Sequence, residues 1–282
     1  MTVLVPTSLG DALASLADDP ASVALAGGTD FMVQVNEGLR RPERIVALGE
    51  IGELRTVRRE GDELRLGAGL TYTDLMGDDV AVVVPALAQA ARTVGSPQIR
   101  NAGTLGGNLA TASPAGDTLP VLRALGASVE IASAQAARTE PIGAFLTGPK
   151  TTSLRAGELI VAVRVPVRRG PQEYLKVGVR NAMVIAVASV ALVLDLDRQT
   201  VGVGLGSVGP TVLDAPEASA WLADRLRWKR DRAVVDDPRV AGEFASRVAR
   251  AARPIDDHRG RADYRRHAVE VMARRALRRC AS

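Results

Sequence analysis

Two short stretches of the sequence combine glycine with hydrogen-bonding side chains at spacings that could hold an anion. The first is AGGTDF, residues 26–31. The second is GTLGGNLATASPAGD, residues 103–117, with glycines at 103, 106, 107 and 116, an asparagine at 108 and a single carboxylate, Asp117, at its end. Glycine lets a ligand approach the main chain without meeting a Cβ. A chain entering a helix also presents unpaired N–H groups to negative charge. A tight turn would account for some of these glycines without any ligand. Asp117 precedes an apolar helix-like run, so on its local pattern it reads as a helix N-cap unless a ligand claims it. Neither stretch is a P-loop, because no Gly-Lys-Ser/Thr comes after it.

A third pattern is a decoy. GLGSVG, residues 204–209, matches G-x-G-x-x-G. A dinucleotide fold needs a helix to begin inside that motif and an acidic residue about 20 positions further on. Pro210 and Pro216 interrupt the chain just downstream, where that helix would have to run. A strand ending in a glycine turn is the better reading.

The elements that must position these residues are legible in outline. SVALA (22–26) reads as a short buried strand, preceded by the helix TSLGDALASLADD with Thr7 or Ser8 as its cap. AGGTDF is then a strand-to-helix turn leading into FMVQVNEGL. RIVALGEI and ELRLGAGLTYTDL carry strand patterns, with a turn at Gly61 and Asp62. VVPALAQAARTVG is a helix closing at Gly95, and DTLPVLRALGASVEIAS is helix, glycine stop and strand. LIVAVRVPV is another strand. From about Gln172 the runs YLKVGVR, MVIAVASVALVLDL and VGVGLGSVG predict a small antiparallel sheet, and a helix-rich tail begins at about Ala215. The expected fold class is α+β, with a first domain over residues 1–170, divided near residue 55, and a second over 171–282.

Composition excludes several chemistries. The 282 residues are 46% hydrophobic, enough for substantial cores, but only 3% aromatic, so those cores are built from Ala, Val and Leu. The one cysteine, Cys280, excludes internal disulfides and cannot by itself ligate an iron–sulfur cluster. The two histidines, His258 and His267, lie far from the glycine stretches, which argues against a zinc centre. No metal-ligating set and no acid–base or nucleophilic catalytic group is evident. The longest apolar run, residues 182–194, is too short to span a bilayer, and the N-terminal stretch lacks the basic region of a signal peptide. A cytoplasmic protein is expected. From Arg225 onward 17 basic residues stand against eight acidic ones, a net +9 that leaves −5 for the rest. No aromatic platform accompanies this charge, so it reads as a solvated helix face and not as a nucleic-acid site. RADYRRHAVEVMARRALRRC places Tyr264, Ala268, Val271 and Met272 at helical spacing, as the buried side of that helix.

Taken together, AGGTDF, GSPQIRNAGTLGGNLATASPAGD, EYLKVGVRNAMVIAVAS, GSVGPT and DDHRGRADYRRHA closely resemble the FAD-binding medium subunits of the molybdenum hydroxylases, the family of bacterial xanthine dehydrogenase and carbon monoxide dehydrogenase. The resemblance covers nearly the whole chain. One departure is Asp214, where many relatives carry an arginine.

The resemblance implies a two-part FAD-binding domain of the p-cresol-methylhydroxylase type, followed by a small C-terminal domain with an antiparallel sheet and helices. It implies non-covalent FAD lying between the two parts. Ala24, Leu25, Ala26, Gly27, Gly28, Thr29, Asp30 and Phe31 would hold the pyrophosphate through backbone N–H groups. Thr104, Leu105, Gly106, Gly107 and Asn108 would clamp it from the other side. Asp117 would accept hydrogen bonds from cofactor hydroxyls, Val94 and Ile160 would pack on rings, and Lys176 would lie near the flavin. Molybdopterin and [2Fe-2S] clusters are implied on a large and a small partner subunit, in a dimer of heterotrimers that passes electrons to an external acceptor. A stand-alone flavoprotein oxidoreductase of the same FAD fold is the competing expectation.

Overall fold

In the computed structural model, which describes residues 1–281, three sheets and their helices build an α+β chain. The first sheet is small and parallel, with β1 (Thr2–Leu4), β3 (Arg44–Ala47) and β2 (Val23–Leu25) in that order. Helix α1 (Leu9–Asp18) connects β1 to β2, and Ser8 caps it by accepting the Asp11 N–H at 3.1 Å. Its apolar face, Ala12, Leu13 and Leu16, packs with Val46, Ile51 and Leu54 and with Leu159 and Val161 from the next sheet. That shared core fastens the first unit to the second. Helix α2 (Phe31–Asn36) comes directly after β2 and buries none of its side chains fully.

The second sheet is antiparallel throughout, in the order β4 (Val57–Glu60), β5 (Glu63–Gly67), β10 (Leu159–Pro166), β6 (Ser128–Ala132) and β7 (Ala137–Pro141). The β4–β5 turn uses Gly61 in the left-handed region, φ +63°. Helices α3 (Asp78–Ala81), α4 (Pro85–Arg92), α5 (Pro97–Ala102), α6 (Leu105–Thr111) and α7 (Thr118–Leu125) lie between β5 and β6 in the chain. Leu87, Leu105, Leu109, Leu119 and Leu122 from these helices fill the main core with Leu64, Leu66, Val129 and Val163 from the strands. A short helix α8 (Ile142–Phe145) and the hairpin β8 (Leu146–Gly148) and β9 (Thr151–Thr152) precede β10.

The third sheet runs β11 (Gln172–Val177), β12 (Ala188–Asp195), β13 (Thr200–Gly206) and β14 (Leu213–Asp214), all antiparallel. Helices α9 (Pro216–Ala223), α10 (Arg239–Ala251) and α11 (Ala262–Cys280) cover one face, and the two-residue strands β15 (Arg227–Trp228) and β16 (Ala233–Val234) pair between them. Every residue of β12 is buried. Val190, Leu192 and Leu194 face the helices of this unit, whereas Ala191 and Val193 belong to the main core. A strand covered on both faces reads as a continuous apolar run.

Three expectations need correction. The stretch from Thr104 is a helix, α6, where the sequence suggested a turn, and α5 ahead of it was not anticipated. The apolar run 182–194 is a strand only from Ala188; Arg180 accordingly bonds the carbonyls of Ala182 and Met183 in an irregular connection. On α11 Ala268 and Met272 are buried as expected, but Tyr264 is exposed, Val271 is only half-buried, and Arg265, Val269 and Ala273 are buried with them. The decoy motif is the end of β13: a Cβ at Gly204 would lie 1.8 Å from the Pro120 carbonyl oxygen, and one at Gly202 2.0 Å from that of Ala124. Those glycines let the strand lie against α7. Asp214 pairs with Arg123 of α7 at 2.7 Å.

Candidate functional site

The turn between β2 and α2 is built to leave its main chain open. Gly28 takes φ +69° and redirects the chain into α2, where the Met32 N–H donates to the Gly28 carbonyl at 2.9 Å. Among the described residues, none accepts a hydrogen bond from the backbone N–H of Gly27, Gly28, Thr29 or Asp30. Successive N–H groups of this kind form a concavity suited to an anion. The Asp30 carboxylate is turned to Gln34, whose side-chain amide donates to it at 2.8 Å. The Phe31 ring lies 5.6 Å from the Arg40 guanidinium.

The second glycine motif faces this turn but works differently. Its first helical amides are already used. Leu105 donates to the Leu70 carbonyl and Gly106 to that of Ala68, both at 2.8 Å, and Gly107 donates to the Thr104 hydroxyl, the N-cap, at 3.0 Å. The glycines therefore serve close approach. A Cβ at Gly106 would sit 2.7 Å from the Ala68 Cβ, so this residue seats α6 on the sheet. At Gly107 a Cβ would meet only the Thr104 hydroxyl, at 2.9 Å, and would otherwise project into open space.

Between the two motifs lies a cleft of about 320 Å³. Of the residues singled out from the sequence, Ala24, Ala26, Gly27, Thr104, Gly106, Gly107 and Ile160 line it. Leu25, Gly28, Thr29, Asp30 and Phe31 share the turn without lining the cleft. Leu105 is wholly buried beneath α6. The walls include several residues the sequence did not single out: Gly49, Gly69, Asn101 and two charged residues, Arg55 and Glu158. Gly69 belongs to a Gly-Ala-Gly run whose close approach to the Leu54 carbonyl was a readable sign. Nothing local marked Arg55 or Glu158. Arg138 holds Glu158 in a two-point pair, at 2.9 and 2.7 Å, and pulls its carboxyl below the usual carboxylate range.

The remaining residues form a second group beyond α6. Asn108 points away from the cleft, and its side-chain oxygen accepts the Thr118 hydroxyl at 2.6 Å. Asp117, beside Thr118, occupies the N-cap position of α7 without capping it. Its carboxylate instead pairs with Lys176 at 2.6 Å and accepts the Tyr174 hydroxyl at 2.8 Å. The Lys176 ammonium also donates to the carbonyl of Thr93, the neighbour of Val94, at 3.1 Å. Burial pushes the Asp117 carboxyl up, against the pull of Lys176 and of the hydrogen bonds it receives. Burial, then the Asp117 charge, raises the Tyr174 phenol well above its ordinary value. Sequence reasoning missed Tyr174. Its position, two residues before Lys176 on one strand, places both side chains on the same face.

These features suit a long ligand with an anionic middle: open amides, bare glycine and alanine walls, and an acceptor group a short way off. The FAD implied by the sequence resemblance has this form, and the residues present fit it.

Comparison with known proteins agrees. Residues 1–168 match the family model described as the FAD binding domain in molybdopterin dehydrogenase, and residues 173–280 match the CO dehydrogenase flavoprotein C-terminal domain. The glyceraldehyde dehydrogenase medium chain of Sulfolobus acidocaldarius is 32% identical, over 96% of this chain and 94% of the relative. The carbon monoxide dehydrogenase medium chain of Afipia carboxidovorans is 32% identical, over 97% and 94%. Among solved structures, quinoline 2-oxidoreductase from Pseudomonas putida 86 superposes with a TM-score of 0.89 at 27% identity, covering 99% of this chain and 96% of that one. A Cu,Mo-CO dehydrogenase structure gives the same TM-score at 30% identity, covering 99% and 97%. With both halves matched and relatives aligned from end to end, the chain belongs to the family of FAD-binding medium subunits of the molybdenum hydroxylases, and is an oxidoreductase subunit.

Proposed function

We propose that this chain binds FAD non-covalently in the cleft between the β2–α2 turn and α6, and serves as the electron-transfer subunit of a multi-subunit molybdenum hydroxylase. The observation that carries the reading is the set of unpartnered amides at Gly27, Gly28, Thr29 and Asp30, set against an α6 wall left bare at Gly107. Those amides would bind the pyrophosphate, with Ala24, Leu25, Ala26 and Phe31 shaping the turn, Thr104 and Gly106 forming the opposite wall, and Leu105 and Asn108 anchoring that wall from behind. Ile160 and Val94 would pack on ring systems, Asp117 would accept a cofactor hydroxyl, and Lys176 would lie near the flavin. The bound FAD supplies the redox chemistry, which the protein positions.

The need for partners comes from the composition of the chain. A single cysteine cannot supply the four thiolates of a typical iron–sulfur cluster. Electrons would come from [2Fe-2S] clusters on a small subunit, fed by molybdopterin on a large one, and leave to an external acceptor such as NAD, a quinone or oxygen. The expected assembly is a cytoplasmic dimer of heterotrimers. The basic C-terminal unit, residues 171–282, would dock partner protein, and the FAD domain would comprise residues 1–170 with its internal division near residue 55.

The test is to purify the chain alone and co-expressed with a large molybdenum subunit and a small iron–sulfur subunit of the same family. Alone, it is expected to be yellow, free of iron and molybdenum, and inactive in substrate hydroxylation. Co-expressed, it is expected to co-purify with both metals. Hydroxylation by the metal-free isolated chain would overturn the subunit reading in favour of a stand-alone flavoprotein. A colourless chain that takes up no FAD would overturn the cofactor reading.

A further inference from the structure

We infer that Arg265 is a positioning residue for the cofactor site, acting through Ser207 on the two segments that carry Asp117 and Lys176. The inference rests on the FAD reading above.

Ser207 comes directly after β13, is buried, and takes φ +60°, a left-handed conformation that a serine seldom adopts without external support. Each of its polar groups joins a different segment. Its N–H donates to the Pro114 carbonyl at 2.7 Å. Its hydroxyl donates to the Ala186 carbonyl at 2.8 Å. Its own carbonyl accepts Nη1 of Arg265, on α11, at 2.8 Å. Pro114 stands three residues before Asp117, in the turn between α6 and α7. Ala186 lies near the end of the connection that leaves β11 just after Lys176, and the Val187 N–H returns to the Val177 carbonyl at 2.8 Å. Ser207 therefore holds together the segments whose side chains meet as the Asp117–Lys176 pair, 2.6 Å apart.

Arg265 supplies the external support. Its side chain is 4% exposed, and burying a guanidinium is costly unless it is well paired. The Asp257 carboxylate, bonded to Nη2, already answers the charge. The second arm reaches the Ser207 carbonyl, a contact the planar fork permits while the first arm stays paired. A methionine would fill the space and make neither bond. A lysine could keep the charge but not the two-armed geometry.

The experiment uses the full chain with R265M, R265K and S207G. FAD affinity is read by flavin fluorescence quenching, flavin environment by circular dichroism in the visible, and the 113–117 turn by amide exchange of the apo-protein. R265M is expected to raise the FAD Kd about tenfold, the loss of one charge-assisted hydrogen bond. It is also expected to alter the flavin dichroism and to speed exchange at Ala115, Gly116 and Asp117, with the distant β4–β5 hairpin unchanged. R265K is expected to fall between R265M and wild type. S207G keeps the left-handed backbone and loses only the hydroxyl bond to Ala186, so it tests the link should R265M fail to fold; a weaker FAD affinity without a lower melting temperature is expected. Wild-type affinity and dichroism in S207G, and in R265M where it folds, would overturn the inference. A wild-type chain that binds no FAD would instead overturn the functional reading, while the exchange data would still report whether Arg265 holds the turn.

Discussion

Gly27 and Ala102 touch through their backbones: a Cβ at Gly27 would lie 1.7 Å from the Ala102 carbonyl oxygen. The contact joins the open-amide turn to the segment that leads into α6, and so sets the width of the cleft. Gly27→Ala cannot be accommodated without parting the two, because the obstacle is main chain and not a rotatable side chain. Urea unfolding is expected to show a loss of about 1–3 kcal/mol, typical of overpacking, together with loss of FAD binding. Gly107→Ala is the contrasting case. Its Cβ meets only the Thr104 hydroxyl, so stability is expected to change by less than about 1 kcal/mol while FAD affinity drops. Equal destabilisation by the two variants would contradict this division.

The Asp117–Lys176 pair is buried on both sides, with side chains 7% and 6% exposed. Lys176→Met leaves the carboxylate with the Tyr174 hydroxyl as its remaining side-chain donor, and removing one partner of a buried pair costs about 3–5 kcal/mol. The loss is expected to depend on pH. Burial already raises the Asp117 carboxyl, and losing Lys176 raises it further. The folded variant then holds a proton that the unfolded chain has released. Its stability is present at low pH and falls as pH rises through the folded value. Denaturant midpoints measured from pH 5 to pH 8 are expected to decline for Lys176→Met relative to wild type. A pH-independent gap would argue that Asp117 is not the group left unpaired.

Glu158 titrates in the opposite sense. Arg138 holds it low, so its contribution is present above the unfolded carboxylate value and is lost as pH falls through the folded one. Glu158→Gln is expected to cost about 1.5–3 kcal/mol at pH 7 and to converge on wild type in acid. Because Glu158 also lines the cleft, comparing the variant's melting temperature with and without FAD separates its role in stability from any role in binding.

How legible this was depended on whether the cause lay within one segment. The turn at Gly27 and Gly28 could be read because a strand, two glycines and a helix succeed one another in a few residues. Helix α6 could not, since its glycines oppose helix formation and it is held by the cap from Thr104, the packing of Gly106 on Ala68 and the burial of Leu105 and Leu109 in the main core. Asp117 looked like an N-cap because the helix behind it is real; what claims its carboxylate is Lys176, 59 positions away. Gly204 imitated a nucleotide motif because the backbone it approaches, at Pro120, is remote in sequence. The α11 face was misread at Tyr264 for a like reason: Arg265 turns inward because Ser207, on another element, offers its carbonyl.

The flavin is expected to be held without a covalent bond, and the structure gives the reason. Of the side chains commonly used for such a link, His258, His267 and Tyr264 are exposed in the C-terminal unit. Tyr72 and Tyr174 are buried, with phenols raised by that burial and so protonated and poorly nucleophilic. Cys280 ends α11 with its side chain in the core of the C-terminal unit, where burial pushes its thiol up to about 12. A thiol reacts as the thiolate, so at pH 8 the buried thiol stays protonated and unreactive even if a reagent reached it. Acid precipitation of the holoprotein is expected to release all yellow colour into the supernatant. In parallel, a thiol reagent is expected to label Cys280 only after the chain is unfolded in guanidinium. Colour retained in a washed pellet would mean that one of these side chains does reach the flavin. Rapid labelling of the native chain would show that α11 opens far more readily than its packing implies.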